Sequence, residues 1–253
     1  MKNQKNSLGF DRFMALRWVD MALETRLDCY DLNIAFGQLK EWLSKEICGK
    51  ETARKTATQI HRLWLTQKDQ HDKLRQQVLN NNWAEQNTSF WPILHYGLSL
   101  NVFPLFLEVC KTTGRLLNLQ TSCRREDIYQ RIQEIYSNPA STITATRRVI
   151  QTLLDWGFLV EKNKEISAKE IYVDDIYLTQ WLVEALLTAR QVENLPFADL
   201  AKSSELLGIR LQHVRSAIRS AEYLRIEYTP SFEMICINDQ SFSFLPPAPA
   251  KQA

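Results

Sequence analysis

Glycine is scarce in this chain. Seven occur in 253 residues, and no two lie close enough for a G-x-G-x-x-G turn or a phosphate-cradling loop. That argues against a nucleotide site built on backbone N–H groups. Paired cysteines are missing as well. Cys29, Cys48, Cys110, Cys123 and Cys236 are widely scattered, with no C-x-x-C and no histidine at zinc-ligand spacing, so they read as free thiols of a reducing compartment. No H-E-x-x-H or D-x-D occurs. Asp174 and Asp175 come nearest to a metal pair but read as a helix-starting turn, and Asp127, Glu134 and Asp155 fall on outward helix positions. No metal, cofactor or catalytic group is expected. The longest apolar stretch, Leu98 to Leu107, is broken by Asn101 and Pro104, and MKNQKNSLGF has no signal-peptide core. No membrane is therefore expected, and the cytoplasm is the expected location.

A basic excess is also lacking. The net charge is +2, and Lys and Arg against Asp and Glu stand at 14 to 11 over residues 1–95, 10 to 8 over 96–173 and 7 to 10 over 174–253. Nucleic-acid binders draw most of their non-specific affinity from cations neutralising phosphates, so this balance leaves local clustering as the only basis for such a role.

What the chain does have is apolar periodicity. With 45% apolar and 24% charged residues it has the composition of a packed protein, long enough for two or three cores. Phe10, Phe13, Met14, Trp18, Met21 and Leu23 predict one amphipathic helix. Leu32, Phe36, Leu39, Trp42, Leu43 and Ile47 predict a second, ending at Gly49. Thr52 opens a third, TARKTATQIHRLWL, whose polar side carries Arg54, Lys55 and Arg62; a solvated face is the plainer reading of these, a phosphate contact the other. NNNWAEQN (80–87) marks a turn. WPILHYGLSLNVFPLFLEVCKTTGRLLNL then reads as one or two buried helices broken near Pro104, and FLPPAPAKQA as a loose tail.

The second half contains a long echo. From Arg124, REDIYQRIQEIY predicts a helix with Ile128, Ile132 and Ile135 inward, and SNPAS a helix-starting turn. TATRRVIQTLLDWGFL then gives a helix stopped by Gly157, and Phe158–Val160 begins a strand expected to pair with Glu170–Val173 across KNKEISA. From Asp174, a helix near Leu178–Arg190, LPFADLAKSSELLG, a helix within IRLQHVRSAIRSAEYLRIE and a hairpin EYTPSFEMICI repeat the order. Helix, turn, helix and β-hairpin is the order of a winged helix.

The fold class expected is thus mainly α. A helical N-terminal domain (1–95) precedes two winged-helix units (96–173 and 174–240), and the tail (241–253) follows. The residues such units would turn to duplex DNA are Thr144, Arg147, Arg148 and Gln151, with Lys162 and Lys164 at the first wing, and Arg210, Gln212, His213, Ser216 and Arg219 in the second unit, where Arg215 and Arg225 lie close by. A major groove roughly 12 Å wide admits one α-helix, and Arg and Gln offer the bidentate donors that read base edges.

The run TARKTATQIHRL, the apolar stretch after it and TATRRVIQTLLDWGFL together resemble the BrxA-like DNA-binding accessory proteins of BREX-type phage-defence islands, over roughly residues 10–190. The resemblance implies a non-enzymatic subunit that binds double-stranded DNA, with other subunits of a defence complex, or a second copy in a homodimer, as partners. The alternative is a protein-protein adaptor whose winged helices dock a partner subunit, which the near-neutral charge and Trp18, Trp42 and Trp64 favour.

Overall fold

Residues 9–80, 83–136 and 139–238 are described by the computed structural model. The 241–253 tail and parts of the 80–87 and SNPAS turns lie outside them. Three helices, α1 (Leu16–Asp28), α2 (Leu32–Glu46) and α3 (Lys50–Trp64), pack on one another. Asp31 caps α2 by accepting from Asn33 N (2.8 Å) and Ile34 N (3.1 Å). The first helix starts later than the periodicity from Phe10 predicts, although Phe10 and Met14 are buried. The lead-in is instead bound to a segment far along the chain. Met14 N donates to Thr152 Oγ1 (3.1 Å), Met14 O accepts from Trp156 Nε1 (2.9 Å), and Leu16 N donates to Asp155 Oδ2 (2.6 Å). Ala15 has no side chain to cap α1, and Asp155 supplies that acceptor.

Two short helices, α4 (Asp72–Leu79) and α5 (Trp83–Gln86), lead to α6 (Trp91–Val102) and α7 (Pro104–Leu119). The chain bends by 111° at Phe103, where Pro104 removes a helical donor. Among the described residues no single helix is long and apolar enough to cross a membrane. The 95/96 domain boundary expected from the sequence falls inside α6, and one buried apolar cluster runs from Phe10 to Ile237. His95 lies fully buried on α6, where Trp64 Nε1 donates to its Nδ1 (2.9 Å) and its Nε2 stands 2.9 Å from Asp20 Oδ1. That pattern places the imidazole proton on Nε2.

The rest of the chain holds two sets of elements in one order. In the first, α7 is followed by β1 (Cys123–Arg124), α8 (Arg125–Ile135), α9 (Pro139–Asp155), β2 (Leu159–Lys162) and β3 (Glu165–Ala168), with sheet order β1-β3-β2. Next comes β4 (Ile171–Val173). In the second, α10 (Ile176–Arg190) is followed by β5 (Asn194–Pro196), α11 (Phe197–Leu200), a 3-10 turn at Ser204–Leu206, β6 (Ile209–Leu211), α12 (Val214–Ser220), β7 (Leu224–Tyr228) and β8 (Glu233–Ile237), with sheet order β5-β8-β7. In both, the first short strand pairs with the last.

Three local expectations are corrected here. Phe158–Val160 does not pair with 170–173. β2 folds directly onto β3 through Asn163 and Lys164, both at positive φ (53° and 66°), which makes a two-residue turn whose twist suits a hairpin. β4 lies parallel to β6 instead, Ile171 opposite Ile209 and Val173 opposite Leu211. Ile135, expected inward, is 53% exposed at the last residue of α8.

Two glycines set how closely the two sets approach. A Cβ on Gly114 of α7 would stand 1.9 Å from the Ser204 carbonyl oxygen, and one on Gly208 would stand 2.0 Å from Lys169 O. Only hydrogen fits at either place. Tyr96 of α6 also reaches this turn, its hydroxyl donating to Glu205 O, and within the second set Arg190 braces it, donating to both Glu205 carboxylate oxygens (3.1 and 2.6 Å) and to Ser203 Oγ (2.8 Å).

Candidate nucleic-acid interface

The long helix α9 divides cleanly by face. Thr142, Ala145, Thr146, Val149, Ile150, Thr152 and Leu153 are buried, at the spacing of one helical stripe. Thr144 and Arg147 are exposed, and Arg148 and Gln151 half-buried. Thr144 Oγ1 donates to Ala140 O (3.1 Å), and Arg148 Nη1 donates to Gln151 Oε1 (3.0 Å), so a neutral amide and not a carboxylate holds that guanidinium. At the helix end Gly157, with φ at 77°, turns the chain into β2. Lys162 and Lys164 are exposed at the hairpin tip. Among the described residues Arg147, Arg148, Lys162 and Lys164 form no ion pair. The acids nearest in sequence are engaged elsewhere. Glu161 accepts from Arg125 (2.7 and 2.6 Å), which keeps its carboxyl below the usual range; Glu165 accepts from Ser122; and Asp155 caps α1.

In the second set the expected residues do not share one helix face. α12 is only seven residues long and begins at Val214. His213 precedes it in the left-handed region (φ 50°), and Gln212 belongs to the extended segment, its N–H donating to Val173 O (2.7 Å). Arg210 stands on β6, 3.6 Å from Glu170. The alternation Ile209, Leu211 favours the parallel ladder over another helical turn, and this is why Arg210, Gln212 and His213 leave the helix. Ser216 and Arg219 are exposed on α12 as expected. Arg219 donates to Tyr228 Oη (3.2 Å). Arg215 makes two hydrogen bonds to Glu233 (2.8 and 2.6 Å), lowering the Glu233 carboxyl pKa, and lies over the Phe197 ring at 4.8 Å. Arg225 donates to Glu227 (2.7 Å).

The polar side of α3 is likewise occupied. Arg54 and Lys55 both pair with Glu51 (2.8 and 3.2 Å), whose pKa their hydrogen bonds lower to about 2. Arg62 donates to Gly9 O (3.0 Å) and Val102 O (3.4 Å) and covers the Phe103 ring at 4.9 Å. It ties the lead-in to the bend between α6 and α7.

Arg124 escaped the sequence reading. It is exposed at the start of α8 and makes no ion pair among the described residues, while its backbone N–H donates to Asp127 Oδ2 (2.9 Å). The R-E-D run carried the signal, since an acid at the third helical position closes a capping box. Asp127 is thus a cap. Asp175 is another, accepting from Leu178 N (2.7 Å). Comparison of the chain with protein-family models, with curated proteins and with solved structures finds no match.

Proposed function

We propose that the chain binds duplex DNA without catalysing a reaction, using α9 as the recognition helix of a winged-helix unit and the β2–β3 hairpin as its wing. One observation carries this reading: Arg147, Arg148, Lys162 and Lys164 stand on α9 and the hairpin without a carboxylate partner. At 1.5 Å per residue the 17 residues of α9 span about 25 Å, enough to cross a major groove. The order of elements and the sheet order β1-β3-β2 fit the winged-helix arrangement. On the BrxA-like resemblance, the protein is an accessory component of a phage-defence system.

Fluorescence-polarisation titration of an arbitrary duplex across a salt series tests the reading. Four cations on phosphates give a log-log slope of roughly −4. Absence of binding at about 50 mM salt would reject it, because screening is weak there.

A partner-docking role for the second set of elements is favoured by its surface. Its cations are largely paired, whereas Tyr228 and Phe232 are 63% and 54% exposed beside the β7–β8 turn. If that surface docks a subunit, Tyr228→Ala with Phe232→Ala weakens the association and leaves the duplex titration unchanged.

A further inference from the structure

A cleft of about 610 Å³ opens where the two sets of elements meet. Its walls come from α7 (Leu107, Lys111, Arg115), the end of α10 (Arg190) and the stretch from α11 to the 3-10 turn (Asp199, Lys202, Glu205). The charge on these walls is one-sided. Arg190 and Glu205 neutralise each other, and Glu205 is only 2% exposed, so that pair forms a fixed floor. Of the remaining charged groups, Lys111, Arg115 and Lys202 face a single acid, Asp199. Lys111 reaches Glu108 at 3.4 Å, while Arg115 and Lys202 are exposed and make no ion pair among the described residues.

This departs from the rest of the C-terminal segment. There Arg210, Arg215 and Arg225 each have a carboxylate partner, and over residues 174–253 acids outnumber bases. A concave site with excess positive charge, set on elements locked together by Gly114 and the Tyr96–Glu205 contact, is preorganised for an anion. The volume lies within the range of roughly 300–1,000 Å³ seen for small-ligand sites.

We propose that this cleft binds a small phosphate-bearing ligand, held by Arg115 on one side and Lys202 on the other. Such a ligand spans the joint between the two sets of elements and strengthens their association on binding. Its lining includes none of Arg147, Arg148, Lys162 and Lys164.

Calorimetric titration of the full chain with pyrophosphate and with ADP, at ionic strength matched by NaCl, tests it. Saturable one-to-one binding of either probe is expected, weakened by about tenfold or more in Arg115→Ala with Lys202→Ala. Binding of ADP alone would assign the ligand to nucleotides, and equal binding of both to the phosphate groups themselves. Arg147→Ala with Arg148→Ala leaves this binding intact, and Arg115→Ala with Lys202→Ala leaves duplex affinity intact, so failure of one proposal is separable from failure of the other. No heat at millimolar probe, equal affinity in the Arg115/Lys202 variant, or displacement of ADP by duplex would each overturn the proposal.

Discussion

The two sets of elements that fill the second half of the chain share an order and a strand arrangement, β1-β3-β2 and β5-β8-β7, yet they treat their cations differently. On the first, Arg147, Arg148, Lys162 and Lys164 project from a 17-residue helix and a tight hairpin with no carboxylate beside them. On the second, the helix has shrunk to seven residues, Arg215 is closed onto Glu233 and Arg225 onto Glu227. A guanidinium paired with a carboxylate brings that negative charge with it, so the pair presents no net positive charge to a phosphate. Equal topology therefore does not make equal surfaces. The charges on the elements, not their order, are what set the two proposed roles apart.

The joint between the two sets offers the largest expected effect. In Gly114→Ala the added methyl would meet the Ser204 carbonyl 1.9 Å away, and a backbone oxygen cannot swing aside as a side-chain tip can. Overpacking of this kind costs about 1–3 kcal/mol or more. Urea denaturation should show that loss, and ADP binding in the cleft should weaken with it, since Ser204 and Glu205 line the wall. A stability within about 0.5 kcal/mol of the parent would mean the two sets are joined more loosely than the contact implies.

Next comes the charge on α9. Arg147→Ala with Arg148→Ala removes two cations from exposed or half-exposed positions that anchor no buried group. Loss of about 1 kcal/mol or more per contact predicts duplex affinity lower by roughly 10- to 100-fold, with the salt slope reduced by about 2. The unfolding midpoint should stay put. A fall in affinity with no change in slope would point to base contacts in place of phosphate contacts, sharpening the contrast with the second set.

The sequence makes much of the first face legible and little of the second. Buried Val149, Ile150 and Leu153 recur at helical spacing, so the opposite side of α9 follows directly, and Gly157 marks its end. The shared element order is also readable, because each hairpin and helix leaves its own local pattern. The pairing of β4 with β6 is not, since its partners lie 38 positions apart and are set by packing that no short window contains. Local pattern alone therefore runs the helix back through Leu211, where the folded chain is a strand. Charge state behaves likewise. Glu51 sits three and four positions from Arg54 and Lys55, and their pairing could be read from that spacing. Glu233 lies 18 positions from Arg215, and Arg62 reaches carbonyls 53 and 40 positions away. Those contacts exist only once the fold does.

The helices that precede α9 carry a pH dependence close to neutrality. His61, His71 and His95 all have lowered pKa values, chiefly because burial disfavours the imidazolium, with His71 reaching about 4. The unfolded chain, with histidines near 6.5, binds more protons than the native one as pH falls below that value. Stability is thus fully present above about pH 6.5 and is lost progressively as pH drops toward the folded values. The lowered carboxyls of Glu205, Glu227 and Glu233 act in the same direction, but only near and below their unfolded value of about 4.3. Thermal unfolding at pH 7.5 and 5.5 therefore isolates the histidines. The midpoint should fall, and His71→Gln should reduce the fall.

The smallest effect is expected where the comparison is most exposed to refutation. Arg215→Ala with Arg219→Ala removes as many cations as the α9 variant, so net charge changes equally and any general attraction between the chain and DNA is reduced alike. If affinity followed net charge, both variants would lose the same amount. Arg215 is already spent on Glu233, and Arg219 donates to a phenol that remains after the change. Duplex affinity should then fall by less than about threefold, the size of a long-range screened effect at physiological salt. The solvent-exposed pair itself adds little to stability. A loss matching that of the α9 variant would show that Arg215 gives up its carboxylate on binding, and the two sets would then form one composite surface.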